Sequence, residues 1–126
     1  MSKSKQVLAI GTNGFLSTMC LALRDAFQIV PFGSPQGLLN WTERGMPGAV
    51  LMLDQTPGLS GRELAEELRR RGYTGAIVML SDKTDDDAMR PYGITKVLPQ
   101  KLEIRPNDIK DVLCDLMAQP ATAAAR

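Results

Sequence analysis

The segment Gly11-Thr12-Asn13-Gly14 could bind a phosphate through its backbone, because its two glycines lie where a short apolar run passes into a predicted helix. Glycine lets a backbone approach an anion, and the amide groups of a helix N-terminus attract it. The segment lacks the third glycine of the dinucleotide-binding pattern, and no acidic residue ends the second apolar run to hold a ribose. One alternative for the function is therefore a flavodoxin-like protein that binds a small molecule or a nucleotide.

Residues that bind metals are arranged unfavourably in this sequence. Asp85, Asp86 and Asp87 are consecutive, and we expect them in the first turn of a short helix, where negative charge suits the helix dipole. The chain has no histidine, and Cys20 and Cys114 are far apart. We therefore expect no metal and no cofactor, with both thiols buried as small hydrophobic groups.

Composition limits the class of protein. A chain of 126 residues with 44% hydrophobic residues fits one domain with one core. A net charge of +1 favours neither nucleic acid nor an anionic membrane as a partner, and we expect the arginine run at 69–71 to be a solvated helix end. The first apolar run is too short for a signal peptide or a membrane span, so we expect a cytoplasmic protein.

Short apolar runs alternate with amphipathic stretches of helical length, which is typical of β-α-β units. The run at 49–53 is continuously apolar, which favours a parallel sheet with both faces covered, and Pro31 favours an edge position for its strand. We predict an α/β fold: one doubly wound, five-stranded parallel sheet of flavodoxin-like type in a single domain at 1–118, followed by a disordered tail at 119–126. The predicted strands are Val7–Ile10, Ile29–Phe32, Ala49–Leu53, Ala76–Leu80 and Lys96–Leu98, and the predicted helices begin near Gly14, Pro35, Ser60, Asp82 and Pro106.

The carboxyl ends of parallel strands form the functional crevice of such a sheet. The residues just after the predicted strands are therefore the candidate site: 11–14, 54–56, 81–83 and 99–101. Considered alone, Asp54 is expected to accept hydrogen bonds from loop amides, and Ser81 to cap the segment that follows it.

Three motifs give the sequence a resemblance to a known family. Pro47–Asp54, Pro57–Gly61 and Ile77–Ser81, with Gly93, resemble the receiver domain of bacterial two-component response regulators from about residue 5 to 118. The resemblance implies an acidic pair after the first strand, a phosphoacceptor aspartate after the third, a hydroxyl after the fourth and a lysine after the fifth. In the family the carboxylates hold Mg²⁺, and with the lysine the ion neutralises the phosphoryl group.

The sequence departs from the family pattern at the acidic positions. The acidic pair falls on Gly11 and Thr12, which cannot supply carboxylates to Mg²⁺. The phosphoacceptor position falls on Leu53, with Asp54 one residue late. Because strand side chains alternate between faces, this offset should turn the Asp54 carboxylate away from the family site.

The remaining family positions are only partly retained. Ser81 matches the hydroxyl position, whereas the lysine position falls on Gln100 with Lys101 one residue late. Val97 replaces the aromatic residue that changes rotamer on signalling in the family. We therefore expect a pseudo-receiver with no catalytic residue, which is not an enzyme and in which Asp54 is a phosphoacceptor-like but inactive residue.

The function predicted from the sequence is a stand-alone receiver-like signalling module that binds a protein partner without Mg²⁺-dependent aspartyl phosphorylation. The resemblance implies a partner surface on the fourth helix, fifth strand and fifth helix, here 85–92, 95–97 and 108–115. A homodimer formed through the same surface is an alternative to a different protein partner. Pro91 should keep the fourth helix short. The alternative is a phosphorylatable single-domain regulator that uses Asp54 in a shifted register.

Overall fold

The computed structural model describes residues 6–42, 47–56 and 58–118. The main sheet consists of β1 (Gln6–Ile10), β2 (Gln28–Phe32), β3 (Ala49–Leu53), β6 (Ala76–Leu80) and β7 (Lys96–Leu98), and a two-stranded antiparallel pair, β4 (Gln55–Thr56) and β5 (Leu59–Ser60), follows β3. The helices are α1 (Asn13–Leu23), α2 (Pro35–Thr42), α3 (Gly61–Arg70), α4 (Asp86–Met89) and α5 (Pro106–Ala118), with 3-10 turns at Arg90–Tyr92 and Gln100–Ile104.

The main sheet is parallel throughout, with the strand order β2-β1-β3-β6-β7. This order confirms the predicted doubly wound α/β fold. The strand that contains Pro31 is at an edge, as predicted from its missing amide hydrogen. β3 is at the centre and all five of its residues are buried, which explains its continuous apolar sequence.

Two apolar clusters cover the two faces of the sheet. The α1/α5 cluster contains Phe15, Met19, Ile109 and Leu113, and the α2/α3 cluster contains Leu38, Leu64 and Leu68. Consecutive residues of β3 alternate between them, with Met52 in the α2/α3 cluster and Leu53 in the α1/α5 cluster. The side that a residue at the end of β3 faces is therefore fixed by its place in the strand.

Local signals in the sequence determine how several helices begin. Ser60 caps α3 by accepting the amide of Glu63, and the Glu63 carboxylate accepts the amide of Ser60, which is the predicted capping box. α4 has only four residues and passes into the 3-10 turn that contains Pro91, so the predicted short fourth helix is confirmed. The predicted tail at 119–126 lies outside the described residues.

The structure corrects two expectations. Cys20 is half-buried and Cys114 is exposed on the outer side of α5, so the prediction of two buried thiols is wrong. The arginine run at the end of α3 is not wholly solvated, because the Arg69 guanidinium turns inward. It donates to the carbonyl oxygen of Gly93 at 2.7 and 2.9 Å, and to those of Tyr73 and Gly75 at 2.8 Å. These carbonyls lie in the segments that precede β6 and β7, and a guanidinium has enough donors to bind all of them.

Candidate functional site

Leu53 fills the space beside the end of β1. It is 6% exposed and belongs to the α1/α5 cluster together with Phe15. A Cβ atom placed on Gly11 would lie 2.9 Å from Leu53 Cδ1 and 2.7 Å from Phe15 Cδ2. The glycine therefore lets the backbone after β1 approach two buried apolar side chains. At this first family position, a methyl group would fit only if Leu53 or Phe15 shifted.

Thr12, the second residue at the end of β1, caps α1. Its Oγ1 accepts the amide of Phe15 at 3.2 Å, and its carbonyl oxygen accepts the amide of Leu16 at 2.9 Å. The hydroxyl at the start of the predicted phosphate-binding segment thus satisfies one of the amides that an anion would otherwise use. Gly14 is exposed on the first turn of the helix.

Asp54 and Ser81 are brought together at the ends of β3 and β6. The Ser81 hydroxyl donates to Asp54 Oδ2 at 2.9 Å, and the same oxygen of Ser81 accepts the Lys83 amide at 3.0 Å. Ser81 is 3% exposed, and Asp54 is half-buried. Within the described residues, the donor to Asp54 is thus this hydroxyl rather than a loop amide, and α4 is capped by Asp85 rather than by Ser81.

The backbone holds Asp54 in place on both sides. Its amide donates to the Leu80 carbonyl at 3.2 Å, and its carbonyl accepts the Gly61 amide at 2.8 Å. The carboxylate lines a cleft of about 240 Å³ together with Met79, a residue of the α2/α3 cluster. Leu53 and Asp54 thus lie on opposite sides of the sheet. The offset does not turn the Asp54 carboxylate away from Ser81, the residue at the family hydroxyl position, so that part of the expectation is not met.

Gln100 and Lys101 lie in the 3-10 turn after β7. The backbone amide of Gln100 donates to the Asp82 carboxylate at 3.0 Å, and this bond joins the turn to the loop after β6. Lys101 is exposed. Neither residue lines the cleft of Asp54, so the two positions that replace the family lysine are not brought into that cleft.

The cleft also contains two cations, Lys83 from the predicted site range 81–83 and Arg62, which the sequence did not indicate. Arg62 and Lys83 line it with Asp54, and the Arg62 guanidinium lies 5.3 Å from the centre of the Tyr92 ring. Lys83 follows Ser81 by two residues, so the rule that functional residues lie just past strand ends includes it. Arg62 had no such signal, because its position depends on how α3 packs.

Several solved structures with a similar fold are receiver domains or response regulators. The chain is similar to the chemotaxis protein CheY4 of Vibrio cholerae, with a TM-score of 0.80 and 16% identity over 90% of this chain and 99% of that one. It is similar to the receiver domain of a sensor histidine kinase of Pseudomonas aeruginosa, with a TM-score of 0.76 and 18% identity over 93% and 100%. A receiver domain of a Bacteroides fragilis response regulator gives 0.78 and 17% over 94% and 100%.

These likenesses establish a receiver-type fold for the chain. No protein-family model matches the sequence, and no curated protein matches it. Within the part of the chain that the structure describes, no helix is long and apolar enough to span a membrane.

The Pseudomonas domain holds a magnesium ion in its active-site cleft, so the residues of this chain can be tested for the same ion. Mg²⁺ requires oxygen ligands in octahedral geometry. At the end of β1 this chain has Gly11 packed against Leu53, and the threonine hydroxyl that follows is used as a helix cap. Among the described residues, no group of three or more metal-ligating side chains is clustered. The two residues that follow β1 thus offer no carboxylate to an ion at this edge of the sheet.

Proposed function

We propose that this chain is a receiver-like signalling module of a two-component pathway that binds a protein partner without Mg²⁺-dependent aspartyl phosphorylation. The observation that carries the proposal is the packing of Leu53 and Phe15 against Gly11, where an added methyl carbon would lie 2.9 Å from Leu53 and 2.7 Å from Phe15. A receiver needs carboxylates at this place to hold the ion that neutralises the phosphoryl group. Here the first position, Gly11, packs against apolar side chains, and the second, Thr12, is an exposed helix cap.

The partner surface of the proposed module is formed by α4, β7 and α5. Its residues at 85–87 and 90 border a groove of about 530 Å³ between α4 and β7. The groove carries four aspartates and one arginine, so its charge favours a partner segment that is rich in lysine or arginine: Asp82, Asp85, Asp86, Asp87 and Arg90. Such binding needs no phosphate on this chain.

A second candidate is a phosphorylatable regulator that uses Asp54, and one contact favours it. Asp54 Oδ2 is 2.9 Å from the Ser81 hydroxyl, the residue at the family position that reports phosphorylation. The carboxylate also shares its cleft with Lys83 and Arg62, which could offset a phosphoryl charge. This candidate lacks a group of carboxylates for the metal among the residues that the structure describes.

Acetyl phosphate with millimolar Mg²⁺, followed by intact-mass measurement, distinguishes the two candidates. A receiver domain that keeps its acidic pair serves as positive control, and Asp54→Asn as the site control. We expect no phosphoryl adduct on this chain under conditions that label the control domain. An adduct that disappears in Asp54→Asn would support the second candidate and overturn the proposal.

A further inference from the structure

α4 is too short to stay folded by its own hydrogen bonds. It spans Asp86–Met89, and none of its residues is buried. An isolated helix of this length is unstable in water, so contacts with the rest of the molecule must hold it. Met89 is only partly buried against the α2/α3 cluster, which leaves polar contacts as the other means of attachment.

Asp86 provides such a contact, because its carboxylate binds two groups of β7. Oδ1 accepts the Val97 amide at 2.6 Å, and Oδ2 lies 3.1 Å from Lys96 Nζ. The Val97 amide, followed by Lys96, lowers the pKa of the Asp86 carboxyl below its ordinary value. The carboxylate is therefore charged at neutral pH while it makes both contacts.

The Val97 amide belongs to the open edge of the sheet. β7 is the last strand in the order, and the Ser81 amide donates to the Leu98 carbonyl, so Leu98 faces β6. Neighbouring residues of a strand direct their backbone groups to opposite sides, so the Val97 amide points away from β6. Asp86 thus satisfies an edge amide that would otherwise bind water or another strand.

The two neighbouring aspartates have different contacts. Asp85 is the cap of α4 and accepts the Ala88 amide at 2.9 Å. Asp87 pairs with Arg90 at 2.7 Å, and its side chain is 85% exposed, against 33% for Asp86. Asp86 is thus the member of this trio that joins α4 to the sheet.

We propose that Asp86 is a clasp that fixes α4 to the edge of β7 and holds the α4/β7 surface in one arrangement without any signal at Asp54. That this surface binds a partner rests on the proposed function; the clasp itself does not. In this arrangement the edge amide of Val97 is occupied by a side chain of the same molecule, so α4 and β7 move as one unit and the edge is closed to strand addition.

Amide hydrogen exchange on the free protein, without Mg²⁺ or phosphate, tests the clasp. In Asp86→Ala the Val97 amide should exchange about tenfold faster or more, because a charge-assisted hydrogen bond is lost. In Asp86→Asn the retained acceptor oxygen should restore part of the protection. Asp87→Ala is the matched control, because it removes a carboxylate one residue away, and it should leave Val97 unchanged.

Exchange at buried β3 amides, such as that of Leu51, reports global unfolding and separates it from local release of α4. Equal protection of Val97 in the wild type and Asp86→Ala, or equal loss in Asp87→Ala, would overturn the clasp and leave the proposed function intact. Phosphorylation by acetyl phosphate would overturn the proposed function and leave the Val97 result unaffected. If Asp86→Ala does not fold, hydrogen exchange in the wild-type protein tests the clasp by itself. A wild-type Val97 amide that exchanges as fast as an amide of an unfolded chain would overturn the clasp.

Discussion

Leu53 and Asp54 are neighbours in the chain, yet they end β3 in two different environments. Leu53 packs into the α1/α5 cluster against Gly11 and Phe15, whereas Asp54 lines an open cleft on the other side and binds Ser81. The apolar side is filled and the polar side is open. The comparison teaches that Gly11, at the first position of the family pair, packs against apolar side chains, whereas Asp54 lies in an open polar cleft.

The difference between the two sides also predicts different contributions to stability. Contacts at Leu53 are buried and apolar, so they contribute to the free energy of unfolding through burial and packing. Contacts at Asp54 are polar and half-exposed, so each contributes less. Substitutions on the two sides should therefore differ several-fold in their effect on stability.

The largest effect is expected on the filled side, from Leu53→Asp. The new carboxylate would be buried among apolar side chains without a partner, and we expect a loss of about 4 kcal/mol or more in the free energy of unfolding. Urea unfolding measures the loss. Leu53→Ala is the control for lost volume, at about 3 kcal/mol. A Leu53→Asp protein as stable as the wild type would show that the space is open to water.

Gly11→Ala should have the next largest effect. The added carbon meets Phe15 at 2.7 Å and Leu53 at 2.9 Å, so the core must shift, at a cost of about 2 kcal/mol. The same substitution in a Leu53→Ala background should cost much less, because the smaller side chain leaves room. Additive losses in the double variant would contradict the close packing of these residues.

The fold was more predictable from sequence than these contacts. The continuous apolar run of β3, the proline of the edge strand and the capping box at Ser60 are local signals, and each gave the right element. The offset of Asp54 from Leu53 is also local, since side chains of a strand alternate.

The contacts that depend on packing between distant segments could not be predicted in this way. The hydroxyl of Ser81 reaches Asp54 across 27 residues of sequence, and Arg69 reaches Gly93 across 24. Neither pair has a periodic pattern. The exposure of Cys114 likewise depends on which side of α5 the sheet covers, so composition alone gave the wrong prediction.

Asp54→Asn tests the open side and should cost about 1 kcal/mol, because asparagine keeps an acceptor for the Ser81 hydroxyl but loses the charge. Ser81→Ala should cost a similar amount. In a double-mutant cycle, the two losses should add to more than the loss of the double variant, because both remove one hydrogen bond. Strict additivity in urea unfolding would mean that the two side chains do not interact in solution.

Lys101→Ala should have the smallest effect of the series. The side chain is exposed and does not line the cleft of Asp54, so we expect a change in unfolding free energy within about 0.5 kcal/mol. Lys83→Ala serves as a comparison, because that lysine does line the cleft. A larger loss for Lys101 than for Lys83 would contradict the view that Lys101 makes no stabilising contact.

Titration of the isotopically labelled protein with Mg²⁺, followed by the amide spectrum, tests the central claim most directly. The filled space beside Gly11 and Leu53 predicts no saturable shift of the amides at 11, 12, 53 and 54 up to millimolar Mg²⁺, and the same absence of response for Asp54→Asn. Saturable shifts confined to those amides and erased by Asp54→Asn would show that a receiver-type metal site survives, and would contradict the account.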